Sequence, residues 1–183
     1  MSRMPTKASD QGWTFLRNGR KVRKDCPCLM AGGDIDELVS VLGAALAALA
    51  QRRAMARVSS TLEDAQKALL AAGCAFSCPK PIRGKKPFSL SRDIRALERS
   101  LELLDYDLPR LTGFVVPGGS PAGAWLHVAR SVCRRAERNV AALAGREPVP
   151  EGLLAFLNRL SQWLFAAARW VNARKQRPEP LWR

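Results

Sequence analysis

Histidine and tyrosine are nearly missing from this 183-residue chain, which has one of each. A lone His127 argues against a metal site built from several imidazoles and against a Ser-His-Asp triad. Its simplest reading is a packed or surface side chain. Long apolar runs are missing as well. The longest, "LVSVLGAALAALA" from Leu38 to Ala50, is shorter than the roughly 18 residues of a membrane span. The last helical segment carries Asn158, Arg159, Gln162 and Arg169, too polar for lipid. The N-terminus lacks the apolar block of a signal peptide. Five cysteines, an odd number, make no familiar disulfide framework. Their spacings, C-x-C at Cys26 and Cys28 and C-x3-C at Cys74 and Cys78, differ from the usual C-x2-C and C-x4-C of zinc sites. Reduced thiols in a cytoplasmic protein are therefore expected. No segment alternates convincingly with period two, and no internal repeat or low-complexity tract is visible.

Positive charge is what the chain has in excess. Thirty basic against sixteen acidic side chains give a net charge of +14, a surface that attracts anions. Charge alone does not choose among nucleic acid, membrane phosphate and nucleotide. Nucleic-acid binding is the least favoured reading and predicts a steep salt dependence. The length suits one domain.

Residues 1–33 are polar, basic and glycine-containing, and are expected as loop; residues 34–183 are expected as a helical bundle. The first helix is expected from Asp34, where Asp34 and Glu37 form a D-x-x-E start signal, to about Arg57, with Leu38, Leu42, Ala45, Leu46 and Leu49 at helical spacing. Ser60 and Glu63 open a second helix that Gly73 ends near Ala72. Residues 74–90, with three prolines, read as a loop. A third helix runs from about Arg92 to Leu104. Ser120 followed by Pro121 caps a fourth, which reaches Ala144 and stops at Gly145. The fifth runs from near Pro150 to about Lys175. The fold class is thus all-α, a five-helix bundle.

The fourth helix carries a core stripe of Leu126, Ala129, Cys133, Ala136, Val140 and Leu143. Arg130, Arg134, Glu137 and Arg138, at i, i+4, i+7 and i+8, share another face. Two readings compete. One is a solvated surface with an Arg134–Glu137 pair, worth a few tenths of a kcal/mol. The other is an anion site, since the planar fork of arginine suits phosphate oxygens and Glu137 can orient a guanidinium or a metal-bound water. The fifth helix offers a matching face in Asn158, Phe165, Arg169 and Asn172. Near the N-terminus, "TKASDQGWT" is a weak phosphate-loop signal, and "RNGRKVRK" is a basic run.

Taken together, "GFVVPGGSPAGAWLHVARSVCRRAERNVAAL" and "FLNRLSQWLFAAARWVN" resemble the signature of the PduO-type ATP:cob(I)alamin adenosyltransferases. Upstream, "GGDIDELVSVLG", "LEDAQKALLAAG" and "TKASDQGWT" resemble further family segments, and "PEPLWR" resembles the family's tail. Residues 74–105 are least alike. The resemblance implies a homotrimeric five-helix bundle with active sites between subunits. It also implies transfer of the 5′-deoxyadenosyl group of ATP to cob(I)alamin, with release of triphosphate and a requirement for Mg²⁺. Cobalt(I) is then the nucleophile, so no catalytic serine, cysteine or histidine is needed, and no metal is held by protein side chains. An adenosylcobalamin-dependent enzyme or a cobalamin reductant is the implied partner, with no membrane.

Residue roles follow from the same resemblance. Arg134, Glu137 and Arg138, with Asn158, would contact ATP. Thr6, Lys7, Ser9, Asp10, Gly12, Thr14 and Lys24 would form a loop wrapping ATP. Asp36 would pair with Arg130 across the subunit interface, so that Arg134, Glu137, Asp36 and Arg130 make the catalytic set. Phe114 would pack against the lower face of cobalamin, and Phe165 and Trp182 would add apolar contacts. Without the resemblance, Phe114 reads equally well as a loop anchor under the core. Departures cluster near the nucleotide loop. Ala8 and Ser9 stand where the family has T-G, Val39 where it has asparagine, and "KDCPCLMAGG" replaces K-D-D-P-R-V-x-A-Y-G. Those departures motivate a second reading, a degenerate paralogue that binds a corrinoid or other tetrapyrrole without catalysis.

Overall fold

The computed structural model describes residues 7–16, 19–49, 55–77 and 88–182. Five long helices dominate: α2 (Pro27–Ala48), α3 (Ala56–Ser77), α4 (Ser91–Tyr106), α5 (Pro121–Ala144) and α6 (Leu153–Arg174). A single helical turn, α1 (Lys7–Asp10), precedes them. The helices close into a ring in the order α2, α3, α4, α6, α5, with α5 packed heavily against both α2 and α6.

Helix starts explain most differences from the sequence-based expectation. The first long helix begins at Pro27, not Asp34, because Pro27 is preorganised at the first helical position and Cys26 supplies the extended cap. The expected boundary between residues 33 and 34 therefore falls inside α2. Asp34 and Glu37 are not a capping box: both reach from the middle of α2 to Arg135 on α5. That helix also stops at Ala48, short of Arg57. Ser60 and Glu63 lie within α3, which continues through Gly73 to Ser77. Residues 78–87 of the expected loop lie outside the described residues. Helix α6 starts at Leu153, after Gly152 as cap. The α5 expectation holds: Ser120 Oγ accepts from Gly123 N at 3.1 Å, Pro121 follows, and the helix ends at Ala144.

Two short antiparallel pairs were not anticipated. Strand β1 (Trp13–Phe15) pairs with β2 (Lys21–Arg23), and β3 (Phe114–Val115) pairs with β4 (Leu181–Trp182). Strands of two or three residues carry too little alternation to be read from sequence.

Leu38, Leu42, Leu62, Leu69, Leu126, Phe156, Leu157 and Trp163 are fully buried at the centre of the ring. The tryptophans of α6 also fix α4. Trp163 Nε1 donates to Ser100 Oγ at 2.9 Å, and Trp170 Nε1 donates to Asp107 Oδ2 at 2.9 Å. That second bond, then the nearby Arg174 and Arg57, holds the Asp107 carboxyl below its ordinary pKa.

Candidate functional site

The two adjacent arginines of α5, Arg134 and Arg135, fall on different faces of the helix. Arg135 turns toward α2, where Asp34 Oδ1 accepts from its Nε at 3.1 Å and Glu37 binds its Nη2. These carboxylates, Glu37 first, raise its pKa. Asn139, one turn on, donates to Asp34 as well. Arg135 was not singled out by sequence reasoning. The available signal was its position, one helical step from Arg134 and hence on a different face.

The Arg130, Arg134, Arg138 face is different. Among the described residues none of the three has a carboxylate partner. Arg134 is exposed, and Arg138 Nη1 donates only to the Arg134 carbonyl, at 3.2 Å. Arg130 is half-buried, and its Nε is buried with no partner. Burial, then Arg134, lowers the Arg130 pKa from its ordinary value. The Arg134–Glu137 pair of the solvated-surface reading is absent. Glu137 Oε1 instead accepts from Asn158 Nδ2 on α6 at 3.1 Å. Asn158 is held in turn, its Oδ1 accepting from Arg159 Nη1 at 3.0 Å and from Gln162 Nε2 at 3.1 Å. One carboxylate and one amide are thus pinned beside uncompensated guanidinium groups. Such a face binds multivalent anions, because bringing oxygens between the arginines relieves their repulsion.

Phe165 on α6 extends this face. The guanidinium carbons of Arg130 and Arg169 lie 5.8 and 5.9 Å from its ring centroid, and the His127 ring meets it edge-on at 6.2 Å. Phe114 and Trp182 stand side by side across the β3–β4 pair with centroids 6.2 Å apart. They are 77% and 68% exposed, so Phe114 is not a loop anchor under the core. Aromatic surface left in water at the end of a bundle marks a contact site for an apolar ligand.

The apolar "PRLTGFVVPGGSP" stretch is shaped by Asn172. Its Oδ1 accepts from Ser120 N at 2.8 Å and Ser120 Oγ at 2.7 Å, and its Nδ2 donates to Gly118 O at 2.9 Å. An added Cβ at Gly119 or Gly123 would collide with that carboxamide. The two glycines therefore clear the path by which α6 docks against the start of α5. Asn172 is fully buried, so it is structural rather than part of an exposed face with Asn158.

The N-terminal residues form a hairpin rather than an irregular loop. Ser9 and Asp10 close α1, Gly12 follows at φ 79°, a conformation suited to glycine, and Lys24 N donates to Gly12 O at 2.8 Å. Thr14 lies opposite Val22 in the β1–β2 register. Trp13 carries Lys21 and Arg23 near its ring, at 5.1 and 5.8 Å. The Arg20–Glu147 pair, 3.3 Å, links the hairpin to the turn after α5. Thr6 lies outside the described residues, as does the side chain of Lys7. No hydrogen bond or ion pair joins the described hairpin to Arg134, Glu137 or Arg138 within one chain. Asp36 and Arg130 do not pair within the chain either: Asp36 lines a mostly apolar cavity of about 460 Å³ between α2 and α3, with Leu29, Val39 and Leu70. At the start of α2, Cys26 Sγ and Cys28 Sγ lie 3.4 Å apart as free thiols.

This fold and this face define a class. The family profile for cobalamin adenosyltransferase matches residues 4–171, and the chain belongs to that family. Its similarities run along nearly its whole length. It is 38% identical over 170 residues to the corrinoid adenosyltransferase of Bacillus subtilis, covering 92% of this chain and 86% of that one. Against the cobalamin adenosyltransferase of Cupriavidus metallidurans it is 35% identical over 182 residues, covering 100% and 95%. A variant PduO-type ATP:corrinoid adenosyltransferase from Lactobacillus reuteri, solved complexed with cobalamin and ATP, superposes with a TM-score of 0.89 at 31% identity, covering 99% and 97%. No helix among the described residues is long and apolar enough to cross a membrane.

Proposed function

We infer that this chain is an ATP:corrinoid adenosyltransferase, moving the 5′-deoxyadenosyl group of ATP to cob(I)alamin. The observation that carries the reading is the uncompensated Arg130, Arg134, Arg138 face, continued by Phe165, in a chain that also leaves the Phe114 and Trp182 rings in water. The electron pair of cobalt(I) forms the bond to C5′. The C5′–O bond breaks, and its pair departs on the triphosphate. Two tasks fall to the protein: holding the reactants in line and offsetting charge on the leaving group.

Arg134 and Arg138 meet the triphosphate, with Glu137 fixed by Asn158 so that it orients rather than neutralises them. Mg²⁺ travels with the nucleotide, bound by phosphate oxygens and water as is usual for this ion. The donor set agrees with that. Glu137 is the carboxylate on the arginine face, and among the described residues no cluster of three or more His, Cys, Asp or Glu side chains could cage a metal. Lys7, Ser9, Asp10, Gly12, Thr14 and Lys24, with Thr6, form the nucleotide-wrapping segment. Phe114, Phe165 and Trp182 form the apolar corrinoid side, where they keep water and the axial ligand from the cobalt.

The working unit is a homotrimer with the site between neighbours. Arg130 supports this: its half-buried guanidinium, with Nε unpartnered in one chain, suits Asp36 of an adjacent copy. An adenosylcobalamin-dependent enzyme is the natural recipient of the product.

The test mixes protein, ATP, Mg²⁺ and chemically reduced cob(I)alamin and follows the cobalt absorption spectrum. Conversion to the adenosylcobalamin spectrum is expected. Measurable cobalamin binding without conversion would overturn the reading in favour of a non-catalytic corrinoid binder.

A further inference from the structure

The C-terminal strand is too short to hold itself. Two-residue β4 pairs with two-residue β3, and one further main-chain bond, Val116 N to Pro180 O at 2.9 Å, joins the tail to that loop. Isolated strand pairs of this size are not stable in water. Pro178 and Pro180 have no N–H to contribute.

Besides a main-chain bond from Arg177 N to Asn172 O at 2.9 Å, the tail is anchored by one buried carboxylate. Glu179 Oε1 accepts from His127 Nε2 on α5 at 2.9 Å and from Asn172 Nδ2 on α6 at 2.7 Å. The His127 and Glu179 side chains are 3% and 6% exposed. A carboxylate at that depth is tolerated only when fully hydrogen-bonded. Its demand also sets the imidazole tautomer, since Nε2 must carry the proton it donates. Nδ1 is buried with no partner, so the ring is committed to Glu179 alone. The same ring lies edge-on against Phe165, 6.2 Å between centroids.

The contact therefore spans two parts of the site. On one side is Phe165, with Arg130 over its ring. On the other, three residues beyond Glu179, is Trp182, packed on Phe114. We propose that His127 and Glu179 are positioning residues for the corrinoid side, a buried clasp that fixes the Phe114–Trp182 surface relative to Phe165. Neither touches the reacting atoms. The proposal rests on the corrinoid reading of those rings, and its effect is geometric: misplacing an apolar wall by about 1 Å can cost up to about a hundredfold in rate.

The test compares Glu179→Ala with Glu179→Gln, whose carbonyl still accepts from both donors. It also compares His127→Leu with His127→Gln, whose Nε2 still donates. Steady-state kinetics are run by varying cob(I)alamin and ATP separately, and amide hydrogen exchange is followed at Val116 and β4. Glu179→Ala and His127→Leu are expected to raise KM for cob(I)alamin, or lower kcat, at least about tenfold. KM for ATP should stay within about twofold, and Val116 and β4 should lose protection. The Gln variants should recover both readouts. A purely structural role would instead lower the active fraction without changing either KM. That result, or unchanged kinetics and exchange in Glu179→Ala, overturns the proposal. Should the Ala and Leu variants fail to fold, the Gln pair decides: loss of tail protection or of cob(I)alamin affinity in both folded Gln variants overturns it. Absence of turnover in the unsubstituted protein sinks the adenosyltransferase reading instead, while hydrogen exchange still reads the clasp.

Discussion

Two stretches of α5 lie side by side and are used in opposite ways. Around His127, where α5 meets Asn172 and Glu179, polar groups are buried and bound to one another at 2.7 to 2.9 Å. Along Arg130, Arg134 and Arg138, the guanidinium groups have no acidic partner among the described residues. The first stretch takes its stability from buried hydrogen bonds among Ser120, His127, Asn172 and Glu179. The second leaves charge unanswered, at a cost visible in the lowered pKa of Arg130. A protein can leave such a face open only where the neighbouring structure is held firmly by other contacts.

The widest separation of activity from stability is expected at Arg134. Arg134→Ala should lower kcat by about 10²- to 10³-fold, the range for losing one charge-stabilising donor, with the thermal midpoint unchanged. Unchanged turnover would mean that the arginine face is only solvated surface. Asn172→Ala should do the reverse. It strands Ser120 N and Gly118 O in the interior, removes one of the two donors to Glu179, and should cost about 3 kcal/mol in urea unfolding. A cost below about 1 kcal/mol would place the anchor elsewhere. Gly123→Ala, pressing a methyl into the same carboxamide, should cost about 1 to 3 kcal/mol on the same measurement. Smaller still is a chemical contrast. Burial pushes the Cys133 thiol well up, and its Sγ donates to Leu157 O at 3.3 Å. Iodoacetamide should therefore modify exposed Cys74 and leave Cys133 intact in the native protein, as read by peptide mass. Least of all, Arg20→Ala removes an exposed contact to Glu147 and should leave the unfolding midpoint where it was.

The five helices were legible because their apolar positions recur at helical spacing, and the α5 start was legible because Ser120 and Pro121 are a strong local signal. The start of α2 was not. Asp34 and Glu37 mimic a capping box in sequence, but their true partner is Arg135, about a hundred residues away. For the site, the arginine face and Phe114 could be singled out from spacing and resemblance. The clasp could not, since His127 and Glu179 belong to segments with no shared periodicity. The N-terminal hairpin is not legible in the sequence, because three-residue strands carry no usable alternation.

The helical class, the excess of positive charge and the alignment of Arg130, Arg134 and Arg138 on one face follow from residue order, because helix geometry converts spacing directly into direction. Which arginines are answered is set by helix packing. Arg135 meets two carboxylates from α2, while Arg134, its neighbour in the chain, meets none among the described residues. Charge compensation depends on what the adjacent helix brings within a few ångströms, and that is a property of packing, which the order of residues along one helix does not contain.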